Sequence, residues 1–118
     1  MYFKRNESYR FVFNQAVAGK LTKLDLNNRV TTHVEILDVS SQGAKLSCPN
    51  TIDLTKGTKI SLAFLLNATP FQATGVIVWV KKFTGSFELG VHLNTDNEYK
   101  ESMTRELKLI AKEQRRNR

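Results

Sequence analysis

The sequence predicts a mainly β fold, a six-stranded antiparallel β-barrel with a C-terminal α-helix. Between positions 16 and 93, apolar and polar residues alternate in six stretches, as strands with one buried face require. Clusters of Asp, Asn, Ser and Gly separate these stretches and supply turn chemistry. Beyond position 95 the apolar period changes to that of an amphipathic helix. A chain of 118 residues suits one domain, 1–118. It is long enough to bury somewhat over ~60% of its unfolded surface in a single core.

Ala16–Lys23 reads as the first strand, and Asp25-Leu26-Asn27-Asn28 as the turn into the second, Val30–Leu37. In the second, Val30, Thr32, Val34 and Ile36 alternate with Thr31, His33 and Glu35. The third, Ala44–Cys48, sets Ala44, Leu46 and Cys48 against Lys45 and Ser47. After a loop from Pro49-Asn50 to Lys56-Gly57, Lys59–Leu66 places Ile60, Leu62, Phe64 and Leu66 on one face. Pro70 precedes Phe71–Lys81, whose centre Val76-Ile77-Val78-Trp79-Val80 is apolar on both faces and so predicts a second cover. A turn near Thr84-Gly85-Ser86 leads to Phe87–Leu93. The expected cover is a helix over 95–116. Thr95-Asp96-Asn97-Glu98 has capping-box form with Thr95 as N-cap, and Tyr99, Met103, Leu107 and Ile110 form its apolar stripe.

Composition narrows the function. No stretch approaches the roughly 18 apolar residues of a membrane span, and no apolar leader follows the first charges. Cys48 is the sole cysteine, which suits a reducing cytoplasm rather than a disulfide framework. His33 and His92 stand alone in strands, no Cys/His set has zinc spacing, and no G-x-S-x-G, H-E-x-x-H or Walker loop occurs. The chain is read as a non-enzyme without metal or cofactor. Its net charge of +7 draws on Lys112, Arg115, Arg116 and Arg118, which complement a helix dipole or face an acidic protein, anionic lipid or nucleic acid. Stacking on single strands needs exposed aromatics. Most fall on core-facing positions, leaving Tyr9, Phe11 and Phe13 as the exceptions.

The chemistry concentrates in two stretches. Asp38-Val39-Ser40-Ser41-Gln42-Gly43 has D-x-S-x-x-G spacing. As a turn, it uses Asp and Ser to cap backbone groups and Gly for a positive φ. As a site, its carboxylate is an acceptor-only group matched to the adjacent N1–H and N2–H of a guanine edge. The Ser40 hydroxyl donates and accepts, and Gly43 admits a ligand close to the backbone. Residues 1–13 show no clear period but carry Lys4, Arg5 and Arg10. Arginine forks onto guanine O6 and N7, clamps phosphate or stacks on a purine. The same cations also suit a solvated basic terminus.

On these residues the sequence resembles a PilZ domain, the small β-barrel family that binds cyclic di-GMP. The family signatures are R-x-x-x-R, often preceded by another Arg, and [D/N]-x-S-x-x-G. Asp38, Ser40 and Gly43 match the second throughout; Arg10 matches the last arginine of the first, and Arg5 the extra preceding one. Asn6 replaces the first arginine, breaking the strict motif. Ala73–Trp79 and Phe87–Leu93 resemble the family's last two strands, so the likeness covers nearly the whole chain. The resemblance implies a bacterial, cytoplasmic second-messenger receptor with Lys4, Arg5, Asn6, Arg10, Asp38, Ser40 and Gly43 at the ligand. It implies a basic ligand-binding segment at 1–13, a barrel at 16–93 and a closing of that segment that switches an effector protein. One lost charged hydrogen bond at Asn6 costs about 1.5–3 kcal/mol, or about 10- to 150-fold in affinity. Two alternatives stay open: a degenerate PilZ adaptor that binds protein but no nucleotide, and a small basic nucleic-acid-binding barrel.

Overall fold

The computed structural model describes residues 10–25, 29–49 and 53–116. Its elements run β1 (Phe11–Lys23), β2 (Val30–Ser40), β3 (Gly43–Pro49), β4 (Lys59–Leu66), β5 (Thr69–Phe83), β6 (Ser86–Leu93) and α1 (Asn97–Arg116). The strands close a barrel in the order β1-β2-β3-β6-β5-β4, every neighbouring pair antiparallel. Closure leaves no free sheet edge. The alternating residues read from sequence fill it: Ile60, Leu62, Phe64 and Leu66 from β4, Ala44, Leu46 and Cys48 from β3, and Leu89, Val91 and Leu93 from β6 are buried. Burying a side chain such as Leu or Ile contributes about 1.5–3 kcal/mol, so this lining is the main source of stability.

Three register shifts decide what faces outward. On β5 the shift lies between Ile77 and Trp79. Ile77 is buried and Val80 packs against the core, so the extra residue turns both Val78 and Trp79 to the surface, each 40% exposed. This corrects the expectation that the centre of β5 is apolar because both its faces are covered. On β2 the shift between Ile36 and Asp38 keeps Ile36 and Val39 inside and sends Asp38 out. On β1, five steps from Val12 to Val17 face two steps on β2, so the intervening residues bow out of the ladder. The first strand therefore begins at Phe11 rather than Ala16. Phe11 and Phe13 are buried, packed edge to face at 5.3 Å, and are not the exposed aromatics anticipated.

The helix lies across one end of the barrel. Tyr99 meets Phe71 edge-on at 5.4 Å, Met103 is buried, and the Asn14 N–H donates to Gln114 Oε1 at 2.8 Å. Glu106 is also buried, and accepts from Asn67 Nδ2 at 2.8 Å and Thr69 Oγ1 at 3.3 Å. Tyr99, Leu107 and Ile110 pack against the core beside Met103, as the stripe predicted. The cap differs from the expected one. Asp96 Oδ1 accepts from Tyr99 N at 2.8 Å and Asp96 O from Lys100 N at 3.1 Å, which makes Asp96 the N-cap. Thr95 Oγ1 instead donates to Ser41 O at 2.9 Å and ties the helix start to the β2–β3 hairpin.

Two hairpins need left-handed backbone. Gly85 takes φ 82° between β5 and β6, while Asn67 (φ 51°) and Ala68 (φ 68°) form the primed two-residue turn between β4 and β5. Leu26, Asn27 and Asn28 of the expected turn at 25–28, and Asn50, Thr51 and Ile52 of the expected loop, lie outside the described residues.

Candidate functional site

The β2–β3 hairpin closes on the pair Ser40 and Gly43, with Ser41 and Gln42 at its tip. Counting back along the ladder brings Val39 opposite Ala44 and Asp38 opposite Lys45. Gly43 does not adopt a positive φ, contrary to the turn reading. Its need is space: a Cβ there would stand 2.9 Å from Val91 O and 3.5 Å from Ser40 Oγ. Glycine thus lets β3 approach β6 directly beneath the hairpin.

Asp38 points to the outer face yet is only 3% exposed, because cations fold over it. Phe11 anchors the start of β1 in the core, and Arg10, the residue before it, donates from Nη1 to Asp38 Oδ1. Lys45 Nζ approaches Oδ2 at 3.7 Å. A desolvated carboxylate is costly unless paired, and here each oxygen faces a positive charge. Both cations remain substantially exposed and free to turn toward an anion.

The same ladder row continues across the sheet. Lys45 pairs with Gly90, and Gly90 with Trp79. A side chain at Gly90 would collide with the Trp79 ring, so the indole rests on the bare glycine backbone. A carboxylate, two cations and an exposed indole thus lie side by side on one outer face. Next along β5, Lys81 sits 5.4 Å from the Phe83 ring and Lys82 5.9 Å from that of Phe87. Acceptor, cations and π-face are the three groups that a guanine nucleotide can use.

A sequence model of the PilZ domain matches residues 4–108. The chain belongs to the PilZ domain family. No curated protein matches it. Among solved structures, this PilZ domain is similar to the Escherichia coli YcgR in complex with c-di-GMP, at 16% identity and a TM-score of 0.72. That match covers 97% of this chain and 49% of the other, so the chain spans about half the length of that YcgR. The PilZ domain of YcgR from Escherichia coli with c-di-GMP is similar over 97% of both chains, at 11% identity and a TM-score of 0.74.

Of the residues picked from sequence, Arg10, Asp38, Ser40 and Gly43 gather at the base of the hairpin. Lys4, Arg5 and Asn6 lie outside the described residues. Lys45 and Trp79 were missed. Hairpin arithmetic from the Ser40–Gly43 pair would have found Lys45, whereas Trp79 faces outward only through a bulge that strict alternation hides. Burial pushes the Cys48 thiol up, marking it as a core group. Among the described residues no three His, Cys, Asp or Glu side chains gather to hold a metal, and no helix is long and apolar enough to cross a membrane.

Proposed function

We propose that this PilZ domain is a receptor for cyclic di-GMP that reports the ligand to a partner protein. The observation that carries the reading is Asp38, a buried carboxylate on the outer face, shared between Arg10 and Lys45 and in one row with Trp79. The guanine edge offers two adjacent N–H donors, so it can replace the Arg10 guanidinium without leaving the carboxylate unpaired. Arg10 is then released to the phosphates or the purine face, where its planar fork suits either. Lys45 stays to balance Asp38 and draw the phosphodiester in. Ser40, two residues from Asp38 on the same face, supplies a hydroxyl, and Gly43 lets β3 pack close to β6 beneath it. Lys4 and Arg5 add phosphate cations, while Asn6 contributes a neutral amide in place of an arginine. No step of this cycle makes or breaks a covalent bond, so the domain acts by binding.

The ligand shifts the conformational balance only by its preference for the state in which Arg10 has left Asp38. Calorimetric titration with cyclic di-GMP, with GTP and cyclic di-AMP as controls, tests the reading. Selective binding at about micromolar strength is expected, falling at least about tenfold in Arg10→Ala and in Asp38→Ala. Absence of heat and of thermal shift at high ligand concentration would overturn it, leaving a nucleotide-blind adaptor.

A further inference from the structure

On the other flank of the Ser40–Ser41 corner, α1 and the start of β1 leave a groove of about 380 Å³. Its floor is apolar, built by Phe11 with Met103, Leu107 and Ala111 of the helix. Its rim carries Lys100 and Lys108, and among the described residues neither is engaged in an ion pair. Helical geometry puts Thr104, Lys108, Ala111 and Arg115 on one line, so this border runs on into further positive charge. Exposed Glu101, seven residues before Lys108 and on the same line, meets this border only at its start, and the two acids further along do not offset it. Glu106 is buried against Asn67 and Thr69 on the opposite side, and Glu113 lies 4.0 Å from Arg116.

We propose that this groove is the docking surface for an acidic amphipathic helix of a partner protein. The run from Lys100 to Ala111 spans about 16 Å at ~1.5 Å per residue, three turns of helix. A partner helix of that length presents i, i+3/i+4 and i+7 apolar side chains to the floor and Asp or Glu to the two rim lysines. Charge alone would suit a phosphate polymer or a lipid headgroup, but those leave the Met103–Leu107–Ala111 floor bare. An acidic amphipathic helix satisfies floor and rim together. The groove also touches the nucleotide-facing residues, since Phe11 adjoins Arg10 and Ser40 belongs to the same hairpin as Asp38. Release of Arg10 frees the backbone just before Phe11 on the groove floor, a coupling that rests on the cyclic di-GMP reading, whereas the docking itself does not.

The test uses the full chain, ¹⁵N-labelled and without nucleotide. The probe is a fluorescent peptide of about 14 residues with Leu at helical i, i+3/i+4, i+7 positions and Glu on its flanks. Saturable binding is expected, with amide shifts centred on Phe11, Ser40 and 100–111. Lys100→Glu with Lys108→Glu should weaken it at least about tenfold. Thr104→Trp, which fills the groove from an exposed position, should do the same, and a Lys-for-Glu version of the peptide should not bind. Vesicles of phosphatidylcholine with about 30% phosphatidylglycerol, and a single-stranded oligothymidine, run in parallel. Failure of the acidic peptide to bind overturns the proposal, whether or not vesicles or oligonucleotide do. So does binding that both variants leave unchanged.

Discussion

Asp38 and Lys45 show how a single ladder position joins fold to chemistry. Lys45, partly exposed and 3.7 Å from Asp38 Oδ2, is beyond hydrogen-bond reach, so with Arg10 still pairing the buried carboxylate it adds little to folding. In Lys45→Gln, stability should change by less than about 1 kcal/mol, while cyclic di-GMP affinity falls about three- to tenfold. Urea titration and calorimetry on the same protein separate the two; an equal loss in both would make Lys45 a structural residue. Tyr99 gives a test of a different kind. Burial against Phe71 pushes its phenol up from the ordinary 10.0 to about 12. Below pH 10 the phenol is neutral in both folded and unfolded chains and its contribution is intact. Between pH 10 and 12 the unfolded chain ionises first, so stability falls as pH rises, by up to about 1.4 kcal/mol per unit. Lysines titrate there too, so the measurement is the difference from Tyr99→Phe, which should lack this slope.

Among the elements, those with an unbroken local period were legible, and those broken by a register shift or held by side chains from distant positions were not. β4 was bounded correctly at Lys59–Leu66 because its alternation is unbroken and its neighbours β1 and β5 take it in plain register. β1 was started too late because the bowed residues between Val12 and Val17 destroy the period that Phe11 and Phe13 would otherwise extend. The D-x-S-x-x-G turn was legible as a hairpin because its residues are local, but the pairing of Asp38 with Arg10 joins positions 28 apart. Glu106 read as an ordinary polar helix residue because Asn67 and Thr69, which hold it, come from another hairpin. That hairpin was itself overlooked, for Asn67-Ala68 lacks the glycine that usually announces a primed turn. Ala68 holds φ 68°, a left-handed conformation that costs a Cβ-bearing residue roughly 1–2 kcal/mol. Ala68→Gly relieves that cost but loosens the unfolded chain, leaving a net gain of about 0.5–1 kcal/mol. Thermal unfolding should show a rise of a few degrees, and a fall would mean that the turn relaxes in solution.

Across the whole molecule, two kinds of attachment coexist. The six strands share a closed hydrogen-bonded ladder, whereas α1 is held by side chains: Tyr99 on Phe71, Thr95 on Ser41, Gln114 on Asn14, and Glu106 on Asn67 and Thr69. Releasing the helix uncovers Met103 and the part of the core it covers, while opening the ladder exposes the whole core. Amide exchange should therefore report two opening free energies, the lower for residues of α1 and the higher for barrel residues such as Leu46, Leu62 and Leu89. Glu106→Ala leaves the Asn67 amide without its carboxylate, at a cost of about 1–3 kcal/mol. Both openings break that contact, so the variant should lower both values by the same amount and preserve the gap between them. If α1 is as protected as Leu46 in the wild type, helix and barrel form one cooperative unit. A gap would mean instead that α1 can leave the barrel end while the strands stay closed. Since Met103, Leu107 and Ala111 of α1 build the groove together with Phe11, such undocking takes the groove apart, and the measured gap sets how often that happens.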